Sequence, residues 1–341
     1  MVTLKNIAEE LGISITTVSK ALKEYPDVSE KTRKLVRETA ALLNYQPNSF
    51  AVNLRTKESK TIGLIIPVVV HHFFSSVIKG IIAQAEKKGY LVIILQSNES
   101  YELEQKQIDL LLRKRVDGIL ISLANETSDF SHLNKVINQQ TPIVMFDKIA
   151  KVVKCSKVII DDRKAAYTAT QYLIDIGCKK IAHFRGPLLP QNSIDRFLGY
   201  KKALLDNDLE FDVSLVYTCE CGDASFEEGK ANAKQLLKDH DDVDGIFINT
   251  DLVAIGAMKE FNDRGVKVPE DINIVGFSNW FMASVISPSL TTINQPGLEM
   301  GKKAFKLLFK EIKSRKANKL ITHKQVVLDT DLVVRDSTKN K

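Results

Sequence analysis

The chain has 341 residues, 44% of them hydrophobic and 26% charged, the composition of an ordinary globular protein with two or three folding units. Its formal net charge of +6 agrees with a polyanionic partner without requiring one. Four scattered cysteines (Cys155, Cys178, Cys219, Cys221) form neither a zinc pattern nor a disulfide framework, the N-terminus carries no apolar signal segment, and no run reaches the ~18 apolar residues of a membrane span, so the expected location is the cytoplasm, without membrane contact.

Leu4, Ile7, Ala8 and Leu11 fall at i, i+3, i+4 and i+7, the apolar stripe of a short helix. Thr3 can cap its start, and Gly12 can adopt the left-handed conformation that ends it. Ser14 then caps a second helix, with Val18, Ala21 and Leu22 facing inward and Ile15, Thr16, Thr17, Ser19 and Lys20 left outside. Two short helices joined by a glycine-containing turn make a helix-turn-helix, whose second helix would lie in the major groove of DNA. An ordinary corner of a helical core would show the same pattern. Ser29 caps a third helix running to about Leu43, its buried stripe drawn from Leu35, Val36, Ala40 (or Thr39) and Leu43. Lys31, Arg33, Lys34 and Arg37 give that helix a basic rim, read either as a solvated face or as a phosphate-contacting one. These elements define an all-α headpiece at residues 1–45. Pro47 interrupts the chain, and residues 46–61 read as a short helix and a polar linker that order only against a surface such as DNA.

From Ile62 the pattern changes. Apolar, strand-sized runs recur at Ile62–Val70, Leu91–Leu95, Gly118–Leu123, Pro142–Phe146, Val158–Ile160, Lys180–Phe184, Gly245–Ile248, Ile272–Phe277 and Val326–Leu328, with helical stretches between most of them. Such alternation predicts α/β architecture with parallel sheets covered on both faces. About 275 residues exceed one comfortable core, so two doubly wound lobes are expected. The boundaries read as an N-lobe at 62–160 and 292–323, a C-lobe at 161–291 and 324–336, and a tail at 337–341.

Ligands of doubly wound folds sit at the carboxyl ends of the strands. There the chain places His71-His72-Phe73-Phe74, Asp147, Asp161-Asp162, Arg196, Thr250-Asp251 and Ser278-Asn279-Trp280. Aromatic rings can stack on the apolar face of a sugar, and Arg196 and Asp147 can grip hydroxyls in pairs. Blander readings stand beside these. Phe73 and Phe74 can be core, Asp161 and Asp162 can cap the next helix, and Trp280 can be either a pocket wall or packing at the lobe edge. His71-His72 lacks helical ligand spacing, so no metal and no cofactor are expected. There is no Walker loop, no Gly-x-Gly-x-x-Gly after a strand and no Gly-x-Ser-x-Gly elbow, which argues against an enzyme.

The residues resemble the lactose/galactose-repressor (LacI/GalR) family of bacterial transcription regulators over essentially the whole chain. The stretches that carry the resemblance are Thr3-Leu-x-x-Ile-Ala, Gly-Ile-Ser-x-x-Thr-Val-Ser, Val28-Ser-Glu-x-Thr-Arg, Asn44-Tyr-x-Pro-Asn48, Leu54-Arg-Thr, Ile62-Gly-Leu-Ile-Ile-Pro, Arg115-Val-Asp-Gly-Ile and Pro288-x-Leu-Thr-Thr-Ile-x-Gln-Pro296, in that order. The resemblance implies a three-helix headpiece, a hinge helix and a two-lobed effector domain of the periplasmic-binding-protein type. It also implies a homodimer on a pseudo-palindromic DNA operator and a small-molecule effector, a sugar or sugar derivative.

In those roles Ile15, Thr16 and Ser19 suit base edges, and Lys20 suits a guanine, giving up the bidentate fork of the arginine common at that position. Thr17, Thr32, Tyr45 and Asn48 suit phosphates, with Ser29 and Asn44 beside them, while Leu4 and Ala51 complete the expected contact set. Leu54 matches the leucine that wedges into the minor groove at the operator centre; its alternative is a helix contact against the headpiece. Phe74, Asp147, Arg196, Thr250 and Ser278 fall on or beside the family's ligand-contacting positions, and Phe73, Asp251 and Trp280 extend the set. One departure stands out. Many members carry an acidic pair after Gly-Phe, whereas this chain has Ser278-Asn279, which brings a phosphorylated sugar or another anion into view beside Arg196. A regulator answering to a purine or another anionic metabolite, a solute-binding protein, and a sugar-processing enzyme of similar fold are the alternatives.

Overall fold

A computed structural model describes residues 2–45, 58–70, 72–220 and 224–339. Residues Asn48, Ala51 and Leu54, with most of the expected hinge, lie outside the described residues, as does His71. The chain divides into two units, Met1–Ser59 and Lys60–Lys341.

In the small unit, α1 (Leu4–Leu11), α2 (Ile15–Leu22) and α3 (Glu30–Leu42) start where the sequence supplies oxygen caps. Thr3 and Asn6 form a capping box, Ser14 Oγ accepts from the Thr17 amide at 3.0 Å, and Ser29 Oγ accepts from the Thr32 amide at 3.2 Å. Gly12, at φ +63°, ends α1 with its amide on the Ala8 and Glu9 carbonyls. Ile7, Ala8, Val18, Ala21, Val28, Val36 and Ala40 form the core. Leu35 departs from the expected stripe: it is exposed, and Thr39 is buried alongside Ala40, with its hydroxyl satisfied on the Leu35 carbonyl at 3.0 Å. A stripe repeating every 3.6 residues admits position 36 or 35 at its edge, and the packing of three helices selects Val36.

The large unit contains two six-stranded sheets. The first has the order β11-β5-β4-β3-β1-β2, built from β1 (Thr61–Ile66), β2 (Leu91–Gln96), β3 (Gly118–Ile121), β4 (Ile143–Phe146), β5 (Ser156–Ile160) and β11 (Gln325–Leu328), all parallel. The second has the order β12-β10-β9-β8-β6-β7, from β6 (Ile181–Arg185), β7 (Val216–Thr218), β8 (Gly245–Ile248), β9 (Asn273–Ser278), β10 (Thr291–Asn294) and the antiparallel edge β12 (Asp331–Val333). The first strand stops at Ile66 rather than Val70, because Pro67 has no amide to donate. In the first lobe, helices α4 (His72–Glu86) and α11 (Gly297–Lys316) cross at backbone contact, where a β-carbon on Gly301 would lie 2.1 Å from the Val77 carbonyl oxygen. Among the described residues no helix is long and apolar enough to cross a membrane.

Three details correct the expected boundaries. β10 pairs with β9, so the second lobe extends to Asn294 and the crossing falls at Gln295–Gly297. β11 pairs with β5, so residues 325–328 belong to the first lobe and only β12 onward returns to the second. The tail is not free: Ser337 and Thr338 are buried, Ser337 Oγ donates to the Ile274 carbonyl at 2.7 Å, and the Lys339 amide donates to Asn273 Oδ1 at 2.9 Å. Strand-sized runs identify strands, but which sheet takes a late strand depends on a partner more than a hundred residues away.

Candidate functional site: an interlobe cleft and an exposed recognition helix

The cleft lies at the carboxyl ends of both sheets. The first lobe supplies Phe73 and Phe74 from α4 and Glu99, Asn125, Asp147 and Lys148 from strand-end loops; the second supplies Ser193, Arg196, Asn249, Thr250, Phe277 and Ser278; Gln295 comes from the crossover. Phe73 and Phe74, both 5% exposed, meet edge to face at 5.2 Å between centroids, so they serve as core and as cleft wall at once.

The charged groups of the cleft are already partnered within the protein. Arg196, on α8 (Gln191–Asp206), donates from Nε to Asp162 Oδ1 at 2.8 Å and from Nη1 to the Asn249 carbonyl at 3.0 Å. Its guanidinium also lies 3.6 Å from the centre of the Phe277 ring. Burial pushes Asp162 up to about 7 against the pull of Arg196. Lys148 Nζ donates to both oxygens of Glu99, at 2.6 and 2.8 Å, and to Asn125 Oδ1 at 2.5 Å. Burial raises the Glu99 carboxyl above its ordinary value, with Lys148 opposing. Asp147, at φ +58°, accepts from Gln295 Nε2 at 3.1 Å. Ser193 Oγ is buried without a hydrogen-bond partner. The lobes also touch directly: Asn125 Nδ2 donates to the Glu220 carbonyl at 2.9 Å, and Lys151 pairs with Asp195 at 3.2 Å.

Of the expected effector residues, the structure brings Phe73, Phe74, Asp147, Arg196, Thr250 and Ser278 together. Asp251 and Trp280 do not line the cleft. Asp251 is 1% exposed and holds Thr292, Trp280 and Ser278, while Trp280 packs at the lobe edge against His72 of the first lobe, 6.5 Å between ring centroids. Asp161 is a cap, accepting from the Lys164 amide at 2.9 Å. Glu99 and Asn125, not expected from the sequence, follow the ends of β2 and β3, and that strand-end position is the signal that marks them; Lys148 and Asn249 adjoin Asp147 and Thr250. Among the described residues no three His, Cys, Asp or Glu side chains group as a metal site.

On the small unit, α2 presents Ile15, 47% exposed, and Thr16 outward at its amino end. Thr17 Oγ1 and Ser14 Oγ share a hydrogen bond of 2.8 Å, and Thr32 and Ser29 repeat the arrangement on α3 at 2.8 Å. Ser19 Oγ accepts from Lys23 Nζ at 2.9 Å. Lys20 pairs with Asp27, whose carboxyl it holds below the ordinary range. Leu4 and Tyr45 are half-buried against the headpiece core. The basic rim is largely engaged: Arg33 reaches the Val28 carbonyl at 3.0 Å, and Arg37 pairs with Glu24 at 2.8 Å. What remains outward is a short, mostly uncharged reading edge of the kind that approaches base edges in the major groove.

Comparison with known proteins matches both units. Residues 3–48 match the family model of bacterial regulatory proteins of the lacI family, and residues 59–330 match that of periplasmic binding proteins and the sugar-binding domain of the LacI family. The HTH-type transcriptional repressor PurR of Vibrio atlanticus is 31% identical over 96% of this chain and 97% of its own length. The ribose operon repressor of Halalkalibacterium halodurans is 32% identical over 99% of this chain and 98% of its own. The structure of the Lac repressor dimer bound to operator and the anti-inducer ONPF covers 99% of both chains, at 26% identity and a TM-score of 0.86.

Proposed function

The chain belongs to the lacI family of bacterial regulatory proteins, and we propose that it is a cytoplasmic transcriptional repressor whose grip on a pseudo-palindromic operator is set by an uncharged, polyhydroxylated small molecule held between its lobes. The family is one of regulators rather than enzymes. Ile15, Thr16 and Ser19 are the proposed base-reading residues, with Lys20 released from Asp27 when DNA is bound; Thr17, Thr32 and Tyr45 meet phosphates. Leu4, Asn48 and Ala51 are proposed as further contacts, and Leu54 as the minor-groove wedge. A homodimer is supported by apolar side chains left in the open: Leu91 and Ile94 on the edge strand β2, and Phe281 and Val285 on the second lobe.

The observation that carries the ligand class is the pairing of both cleft cations. Arg196 is committed to Asp162, and Lys148 to Glu99, while Asp147 adds a further carboxylate. A phosphate entering this cleft would face the Glu99 and Asp147 carboxyls and two lining cations each already paired with a carboxyl, Arg196 with Asp162 and Lys148 with Glu99. A sugar hydroxyl instead both donates to carboxylate oxygens and accepts from an N–H of Arg196, whose guanidinium carries five donors. The anionic effector suggested by Ser278-Asn279 is therefore disfavoured. Effector and operator are linked through unequal affinity of the effector for two lobe arrangements, with coupling of ~1–3 kcal/mol typical.

The test has two arms. Full-length protein is titrated onto genomic fragments at several salt concentrations, where a steep salt dependence with a specific shifted fragment is expected. A thermal-shift screen then pairs each neutral sugar with its phosphate ester and adds purines. Stabilisation by a neutral member and none by its ester supports the ligand class; stabilisation by esters or purines alone overturns it.

A further inference from the structure

We propose that Asp251 is a positioning residue: its buried carboxylate fixes the turn Ser278–Trp280, and through that turn the second lobe's wall of the cleft. Asp251 opens α10 (Asp251–Asp263), directly after the cleft residue Thr250, and is 1% exposed. Its Oδ2 accepts from the Trp280 amide at 2.6 Å and from Ser278 Oγ at 3.4 Å, and its Oδ1 accepts from Thr292 Oγ1 at 2.6 Å. The turn needs such an anchor. Ser278 sits at φ +116° and Asn279 at φ +53°, left-handed conformations that a free loop of L-residues leaves when nothing holds it. The site is also shaped around the carboxylate, because a β-carbon on Gly276 would lie 2.5 Å from Asp251 Oδ1.

Two features of the interlobe region hang from this turn. Ser278 lines the cleft, and the Trp280 ring reaches His72 of the first lobe while Phe281 packs on both. Asn279 joins the same network one step removed, its amide donating to Thr292 Oγ1 at 3.3 Å, and is also held from its side chain, with Nδ2 donating to Asn294 Oδ1 at 3.2 Å and Oδ1 accepting from Arg335 Nη2 at 2.7 Å. A residue with no surface in the cleft thus decides where a cleft residue and a cross-lobe contact stand. The functional meaning rests on the reading of the cleft as the effector site, but the geometry of the turn does not.

Trp280 is the only tryptophan of the chain, so its emission reports the turn alone. In the full-length protein without ligand, Asp251→Asn replaces one acceptor oxygen with a donor facing donors. The expected result is a red shift of the emission maximum and stronger acrylamide quenching in protein that is still folded by circular dichroism. Ser337→Ala is the control for a merely structural role: it removes buried hydrogen bonds of the same lobe, to the Ile274 carbonyl at 2.7 Å and from the Thr291 amide at 2.8 Å, so its melting temperature falls while its emission stays that of the unaltered chain. Unchanged emission in Asp251→Asn, or an equal red shift in Ser337→Ala, overturns the assignment. Should Asp251→Asn yield no folded protein, hydrogen exchange on the unaltered chain decides: a protected Trp280 amide supports the assignment, and exchange at the rate of an open loop overturns it. Neither readout uses a ligand, so a failed sugar screen leaves this result standing, and the reverse holds as well.

Discussion

Replacing Arg196 by Met tests the buried pair that sets the ligand class. In the folded protein Arg196 is 4% and Asp162 8% exposed, and their atoms are 2.8 Å apart. Met keeps much of the aliphatic stem but removes the charge with its stacking on Phe277, the bond to Asp162 and the bond to the Asn249 carbonyl. Breaking a buried pair leaves an uncompensated charge and typically costs about 3–5 kcal/mol. The loss should depend on pH in a definite direction. Burial already raises Asp162 to about 7, well above its unfolded value, so the folded state binds the extra proton and stability falls as pH rises from about 4 through 7. Without Arg196 that pKa rises further, so the deficit of the variant is largest at pH 8 and shrinks toward pH 5. Adding Asp162→Asn removes the orphaned charge and should recover roughly 2 kcal/mol or more. Urea denaturation of the single and double variants at pH 5 and pH 8 reads all of this. A single-variant loss under ~1 kcal/mol, or a double variant no more stable than the single, would show that no buried ion pair exists there and would remove the charge argument for a neutral effector.

Two further predictions concern DNA. Asp27→Asn releases Lys20 from its partner on the headpiece and should raise operator affinity about two- to five-fold at low salt, an advantage that vanishes at high salt; anisotropy titrations at both would expose a Lys20 that plays no part in binding. Leu54→Ala, at a position outside the described residues, should weaken operator binding while leaving thermal-shift responses to small molecules intact; equal operator affinity in variant and parent ends the wedge proposal.

The local elements were legible because their causes are local. Thr3, Ser14 and Ser29 cap helices wherever they precede an amphipathic run, Gly12 can turn left-handed without a β-carbon, and the apolar runs from Ile62 onward alternate with helices as a parallel sheet requires. The cleft positions Phe73, Phe74, Asp147, Arg196, Thr250 and Ser278 were also legible, since strand ends locate the ligand side of such a fold. By itself, then, the sequence determined the headpiece, the two-lobed class and part of the cleft's lining.

Only the tertiary structure decided the partnerships. That Asp251 faces inward while its neighbour Thr250 faces the cleft follows from the helix start at position 251 and from space left by Gly276 on another strand. That Arg196 is spent on Asp162, and Lys148 on Glu99, depends on side chains 34 and 49 residues apart. That β11 leaves the second lobe for the first depends on the open edge of β5. Periodicity and capping act within a few residues; charge pairing and sheet membership are settled by groups brought together only when the chain has folded.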